Sequence, residues 1–162
     1  MKHFVTIILT LCATLFAAEN HAAGEVMFER KLIAAQEGDI EAQYDVGYRY
    51  EKGRGTERDN EQAALWYLRA AERGLDKAEY KLALCYLEGT GIAKDEAQGM
   101  AWLKKAADQG YMPAQYQLGK LLAGTDRQQN LQLALEWLQK AQDNGYEPAT
   151  MELRKLKKKL DQ

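Results

Sequence analysis

A nine-residue block recurs along this chain at a spacing of 36. It reads Ala42-Gln43-Tyr44-Asp45-Val46-Gly47-Tyr48-Arg49-Tyr50, then Ala78-Glu79-Tyr80-Lys81-Leu82-Ala83-Leu84-Cys85-Tyr86, then Ala114-Gln115-Tyr116-Gln117-Leu118-Gly119-Lys120-Leu121-Leu122. A second block keeps step with it. Trp66, Trp102 and Trp137 stand 36 and 35 apart, as do Gly74, Gly110 and Gly145. A period of this length marks a solenoid, because one unit is too small to bury its own apolar face and must stack on its neighbours.

Each unit reads as two helices. Ala42, Val46, Gly47 and Tyr50 share one helical face, and Ala63, Trp66, Ala70 and Ala71 share another. Alternating tryptophan with alanine and glycine lets helices approach closely while the indole fills the remaining space. Gly74, Gly110 and Gly145 are predicted to end helices in the left-handed conformation. Pro113 and Pro148 then open the next helix, where a missing N–H does no harm. Gly53-Arg54-Gly55 and Gly89-Thr90-Gly91 read as turns between paired helices, since a dinucleotide cradle needs a preceding strand and a third glycine.

Ala78, Leu82, Tyr86, Gly89, Gly91, Ile92, Asp95, Trp102, Ala106, Ala107 and Gly110 together resemble the Sel-one-like repeats, a branch of the tetratricopeptide-like solenoids. The third repeat departs from the pattern, with Gly124 alone in its turn, one residue fewer, and Ala141-Gln142 in place of a paired alanine. The resemblance covers about residues 31–150. It implies an all-α fold, a right-handed α-α superhelix of about three helix-pair repeats with a capping helix at each end. The expected repeats are 39–74, 75–110 and 111–145, with cap helices at 25–37 and 147–160. It also implies protein–protein interaction as the function.

Residues 1–24 are unlike the rest. Lys2 precedes an apolar run from Phe4 to Ala18, and Ala22 and Gly24 are spaced for cleavage before Glu25, the three-part grammar of a secretory signal. A cut after Ala18 would put Phe16 where a small side chain is wanted. The apolar run is 15 residues, shorter than the roughly 20 that span a bilayer. Leu11 before Cys12 speaks against lipid attachment there. The expectation is a bacterial protein, periplasmic or secreted, with no stable membrane insertion after cleavage. Its solenoid occupies residues 25–162.

The chemistry available to such a chain is narrow. It has no serine, and both histidines, His3 and His21, fall in the expected leader. The remainder has no imidazole base, no Cys–His pair and no histidine ligand for a metal. Cys85 is then the lone thiol, read as structural. No cofactor and no metal site are expected, and the chain is read as a non-enzyme; clustered carboxylates would be the one route to a hydrolase. A net charge of -2 marks no nucleic-acid binder. The run Arg154–Lys159 reads as the solvated face of a terminal cap, with a contact to anionic lipid or an acidic partner as the alternative.

In tetratricopeptide-like superhelices the first helix of each pair lines the concave side. That register brings Tyr44, Tyr80 and Tyr116 to equivalent positions, with Tyr48, Leu84 and Lys120 as a second row and Leu87 near by. These residues form either a peptide groove or packing between adjacent first helices. The functional expectation is a monomeric adaptor or regulator of a protein or peptide partner in the cell envelope. An immunity protein that inhibits a periplasm-delivered toxin is the alternative.

Overall fold

A computed structural model describes residues 22–125 and 127–160. Among the described residues there are eight helices and no strand: α1 (22–36), α2 (Ile40–Lys52), α3 (Asn60–Glu72), α4 (Asp76–Glu88), α5 (Glu96–Asp108), α6 (Met112–Ala123), α7 (Gln128–Asp143) and α8 (Glu147–Leu160). Each helix packs chiefly on the one before and the one after, the connectivity of a helix-pair superhelix. The first 21 residues of the expected leader lie outside the described residues, whereas Ala22, Ala23 and Gly24 open α1.

The helix boundaries follow from local chemistry. Asp59 and Asp95 cap α3 and α5, each side chain accepting a hydrogen bond of 3.0 Å from the backbone N–H three residues on, and Asp39 does the same for α2 at 2.9 Å. Arg127 precedes α7 and makes no such bond, so the shortened third turn also lacks its cap. Gly74, Gly110 and Gly145 have φ of 87°, 91° and 87°, the left-handed conformation expected of them.

The core is built from small residues set against large ones. Ala70, Ala71, Ala78, Ala83, Ala106, Ala107, Ala114, Ala134 and Ala141 are all buried. Gly47 lies under the Tyr67 ring, Gly119 under Leu138 and Gly99 under Leu87, each close enough that a Cβ would collide. Trp66 and Trp137 are buried and Trp102 half-buried, and Arg69, Lys105 and Lys140 lie over the three indoles at 4.3, 4.6 and 4.2 Å.

A candidate protein-binding face

The first helices of the three pairs are α2, α4 and α6, with α8 a fourth in the same register. Their unburied sides carry Tyr44, Tyr48, Tyr80, Leu84 and Tyr116, all half-buried, and Lys120, which is exposed. Tyrosine suits such a position because its ring packs while its hydroxyl stays within reach of solvent.

The tyrosines are joined through the connectors. Tyr80 meets Tyr111 with ring centroids 5.4 Å apart, and Tyr116 meets Tyr146 at 5.3 Å. Tyr111 and Tyr146 precede α6 and α8, so aromatic contact passes through the loops between repeats. The effect reaches further. Burial, then neighbouring Tyr111, Glu51, Tyr48 and Glu41, push the Tyr44 hydroxyl up to about 12. Burial, Tyr146, Tyr111 and Glu88 raise that of Tyr80. These phenols remain neutral hydrogen-bond donors at any physiological pH.

Cations lie against the same rings. Lys77 is 4.6 Å from the centre of Tyr44 and forms an ion pair with Glu41. Arg54 stands 5.2 Å over Tyr48, and Lys120 stands 5.3 Å over Tyr116.

One polar cluster interrupts the aromatic surface. Tyr67 donates to Glu51 at 2.6 Å, Lys81 donates to both Glu51 oxygens at 3.1 and 2.8 Å, and Lys52 pairs with it at 2.6 Å. Burial alone would raise the Glu51 carboxyl, yet the bonds from Lys52, Lys81 and Tyr67 hold it down at about 2. Glu51, Leu87 and Ala123 occupy one repeat position. In the second pair Leu87 drops onto Gly99 and fills the space between its helices. In the first pair Glu51 bonds to its donors, and a cleft of about 200 Å³ opens among Glu51, Arg58, Tyr67, Lys81, Leu84 and Cys85. Burial, then Glu51, push the Cys85 thiol up to about 11, which makes it a weak nucleophile.

The residues expected at the face therefore divide. Tyr44, Tyr48, Tyr80, Leu84, Tyr116 and Lys120 share it, while Leu87 is turned into the α4–α5 interface. Tyr111, Tyr146, Lys77 and Lys81 belong to the same surface and were not singled out from sequence. Tyr111 and Tyr146 are 35 apart, with Leu75 preceding them by 36, so the period extends into the connectors as well. Among the described residues no three or more His, Cys, Asp or Glu are grouped to hold a metal, and no helix is long and apolar enough to cross a membrane.

Helix pairs stacked in sequence, with partly exposed side chains on their first helices, define a tetratricopeptide-like solenoid, a class built for interaction with other proteins. The Sel1 repeat model matches residues 40–75, 76–111 and 113–146, and the chain belongs to the Sel1 repeat family. Two solved structures share the architecture. A Sel1 repeat protein from Oxalobacter formigenes is 32% identical, with a TM-score of 0.68 over 83% of this chain and 58% of that one. A protective antigen of uropathogenic Escherichia coli with an SLR fold is 27% identical, with a TM-score of 0.72 over 84% of this chain and 32% of that one. This chain thus spans a little over half the length of the first and about a third of the second. Among curated protein sequences, none matches it.

Proposed function

We propose that this chain is an exported, non-catalytic adaptor or regulator that holds a segment of another cell-envelope protein against the tyrosine-lined side of its first helices. The observation that carries this reading is the pair of aromatic contacts Tyr80–Tyr111 and Tyr116–Tyr146, each of which crosses a repeat boundary on half-exposed rings. Large aromatic area with a hydrogen-bonding tip is the chemistry that dominates binding energy at protein interfaces. Export is supported by the leader grammar of residues 1–24, and binding without catalysis by the absence of serine and of any histidine beyond His21.

The test is crosslinking capture in the native periplasm, comparing wild type with a Tyr80→Ala/Tyr116→Ala variant shown by circular dichroism to be folded. The reading expects one partner enriched by wild type and lost with the variant. A secreted toxin as that partner would make the regulation inhibitory. Equal capture by both proteins would remove the tyrosine line from the function.

A further inference from the structure

The four first-type helices differ in charge in a way the second-type helices do not. α2 carries Glu41, Asp45 and Glu51 against Arg49 and Lys52, and α4 carries Asp76, Glu79 and Glu88 against Lys77 and Lys81, so each is -1. α6 has Lys120 alone and is +1, and α8 has five basic residues against Glu147 and Glu152 and is +3. Glu79 is buried and paired with Lys105 of α5, and Lys77 and Lys81 of α4 pair with Glu41 and Glu51 of α2. α2 and α4 are therefore level and largely self-compensated, and the positive excess begins at α6. Along α1, α3, α5 and α7 the values are 0, -1, 0 and -1, without trend.

The same polarity appears in the side chains on the proposed binding face. Tyr44, Tyr80 and Tyr116 are followed on α8 by Met151, which is 65% exposed, while Tyr48, Leu84 and Lys120 are followed by Lys155. Lys155 pairs with Glu152 at 3.2 Å, but the lysine is largely exposed and such a pair is weak. Neighbouring packed helices lie about 8–10 Å apart. The screening length at physiological salt is about 8 Å. Each helix therefore presents its own local potential instead of blending into one average. A bound chain meets an aromatic end, where Lys77 and Lys81 are paired with Glu41 and Glu51, and a cationic end.

We infer that the occupant of this face is an extended segment of a partner protein whose apolar or aromatic part seats across α2 and α4, and whose acidic residues lie over α6 and α8. The inference rests on the binding face proposed above and adds the partner's chemistry and orientation. Successive first helices, each separated by a second helix, stand at least that packing distance apart. Four of them therefore measure at least about 30 Å, which an extended chain covers in about nine residues or a few more. Carboxylates on such a segment meet Lys120 and Lys155, and its apolar side chains meet the rings of Tyr44, Tyr48 and Tyr80. Opposite charges in register fix which way the segment lies, a matter of specificity and on-rate more than of raw affinity.

The test selects binders from a random peptide library about nine residues long, displayed on phage, against the full chain. It then measures the best synthetic peptide by fluorescence anisotropy. Selected peptides are expected to share Asp or Glu grouped to one side of an aromatic or leucine anchor. A Lys120→Glu/Lys155→Glu variant, both positions solvent-exposed, is expected to weaken the peptide about tenfold at low salt, the difference shrinking as salt screens it. Peptides without acidic grouping, or affinity unchanged by the double reversal, overturn the polarity. If those same peptides still lose binding with Tyr80→Ala/Tyr116→Ala, the face stands and only the partner chemistry falls. If the tyrosine variant binds them as wild type does, or the library yields no binder, the face falls and the polarity with it.

Discussion

Gln109 donates a hydrogen bond of 2.7 Å to Glu79, a carboxylate that is completely buried at the position where the other two repeats place glutamine. Gln43 and Gln115 use their amide N–H to reach the Ala35 and Ala107 carbonyls, both at 3.2 Å. An ionised carboxylate cannot donate, so Glu79 instead relies on donors from α5, the second helix of its own pair, and from that helix's C-cap. Lys105 approaches its second oxygen at 2.9 Å, at an angle that makes an ion pair and not a hydrogen bond.

Glu79→Gln restores the amide that its counterparts use and removes a buried charge. Urea unfolding is expected to show stability retained or improved. Lys105→Met, by contrast, leaves that carboxylate oxygen without compensation and is expected to lose about 1–3 kcal/mol. A loss with Glu79→Gln larger than with Lys105→Met would mean that the ion pair, not the geometry of the site, holds these helices together.

The Glu51 cluster makes the fold sensitive to acid. Its carboxyl is held at about 2 against an ordinary 4.5, so the folded state binds this proton more weakly than the unfolded chain does. The stabilisation is complete above about pH 4.5 and fades as pH falls toward 2. Tyr67→Phe removes one of the bonds that lower the carboxyl. The acid limb of a stability–pH curve is expected to begin at the same pH in that variant but to be smaller and to level off at higher pH, and Glu51→Gln should flatten the limb. Identical curves for wild type and Glu51→Gln would show that other carboxylates govern acid unfolding.

Two glycines separate conformational strain from collision. Gly110 has φ of 91° with open space where a Cβ would stand, so Gly110→Ala bears only the left-handed penalty of about 1–2 kcal/mol. Gly91 has φ of 72°, and a Cβ there would lie 1.9 Å from the Asn60 carbonyl oxygen of the preceding pair. Gly91→Ala must therefore also push two repeats apart. Its fall in Tm is expected to be more than twice that of Gly110→Ala, and equal falls would show that the repeat junction yields freely.

These glycines also show how far the period could be read. The carbonyl of Gly24 sits against Gly55 as that of Asn60 sits against Gly91, each residue 36 from its counterpart. The repeat register thus reaches back to Gly24, where small residues that also suit a cleavage site had placed the end of a leader. Helix existence, caps and the tyrosine rows were legible because each depends on spacing along one chain. The fate of Leu87 was not, because it depends on Gly99 facing it across a helix pair. Tyr111 and Tyr146 escaped for a related reason: a tyrosine before a helix signals nothing until the neighbouring ring is placed beside it.

On the side formed by the second helices, the third repeat lacks a ring that the first two contain. Tyr50 of the first repeat packs edge-on against Phe28 at 5.2 Å, and Tyr86 takes the equivalent place in the second. Leu122 follows 36 residues later, and beside it a mainly apolar cleft of about 390 Å³ opens between α5 and α7, lined by Met100, Leu118, Leu133 and Trp137. Leu122→Tyr would return the ring to this space with Met100 positioned to meet it, a contact thioethers make well with aromatic edges. Since the cleft is open, the added ring need not displace packed atoms, and its hydroxyl can remain in water. Cavity filling of this kind stabilises by about 0.5–2 kcal/mol. Thermal unfolding is expected to show a higher Tm for Leu122→Tyr, while Leu122→Ala enlarges the cleft and lowers it. A Leu122→Tyr protein less stable than wild type would mean that the shortened turn around Gly124 has drawn α6 and α7 into a packing where an aromatic ring no longer fits, so that the third repeat diverges in its helices as well as in its loop.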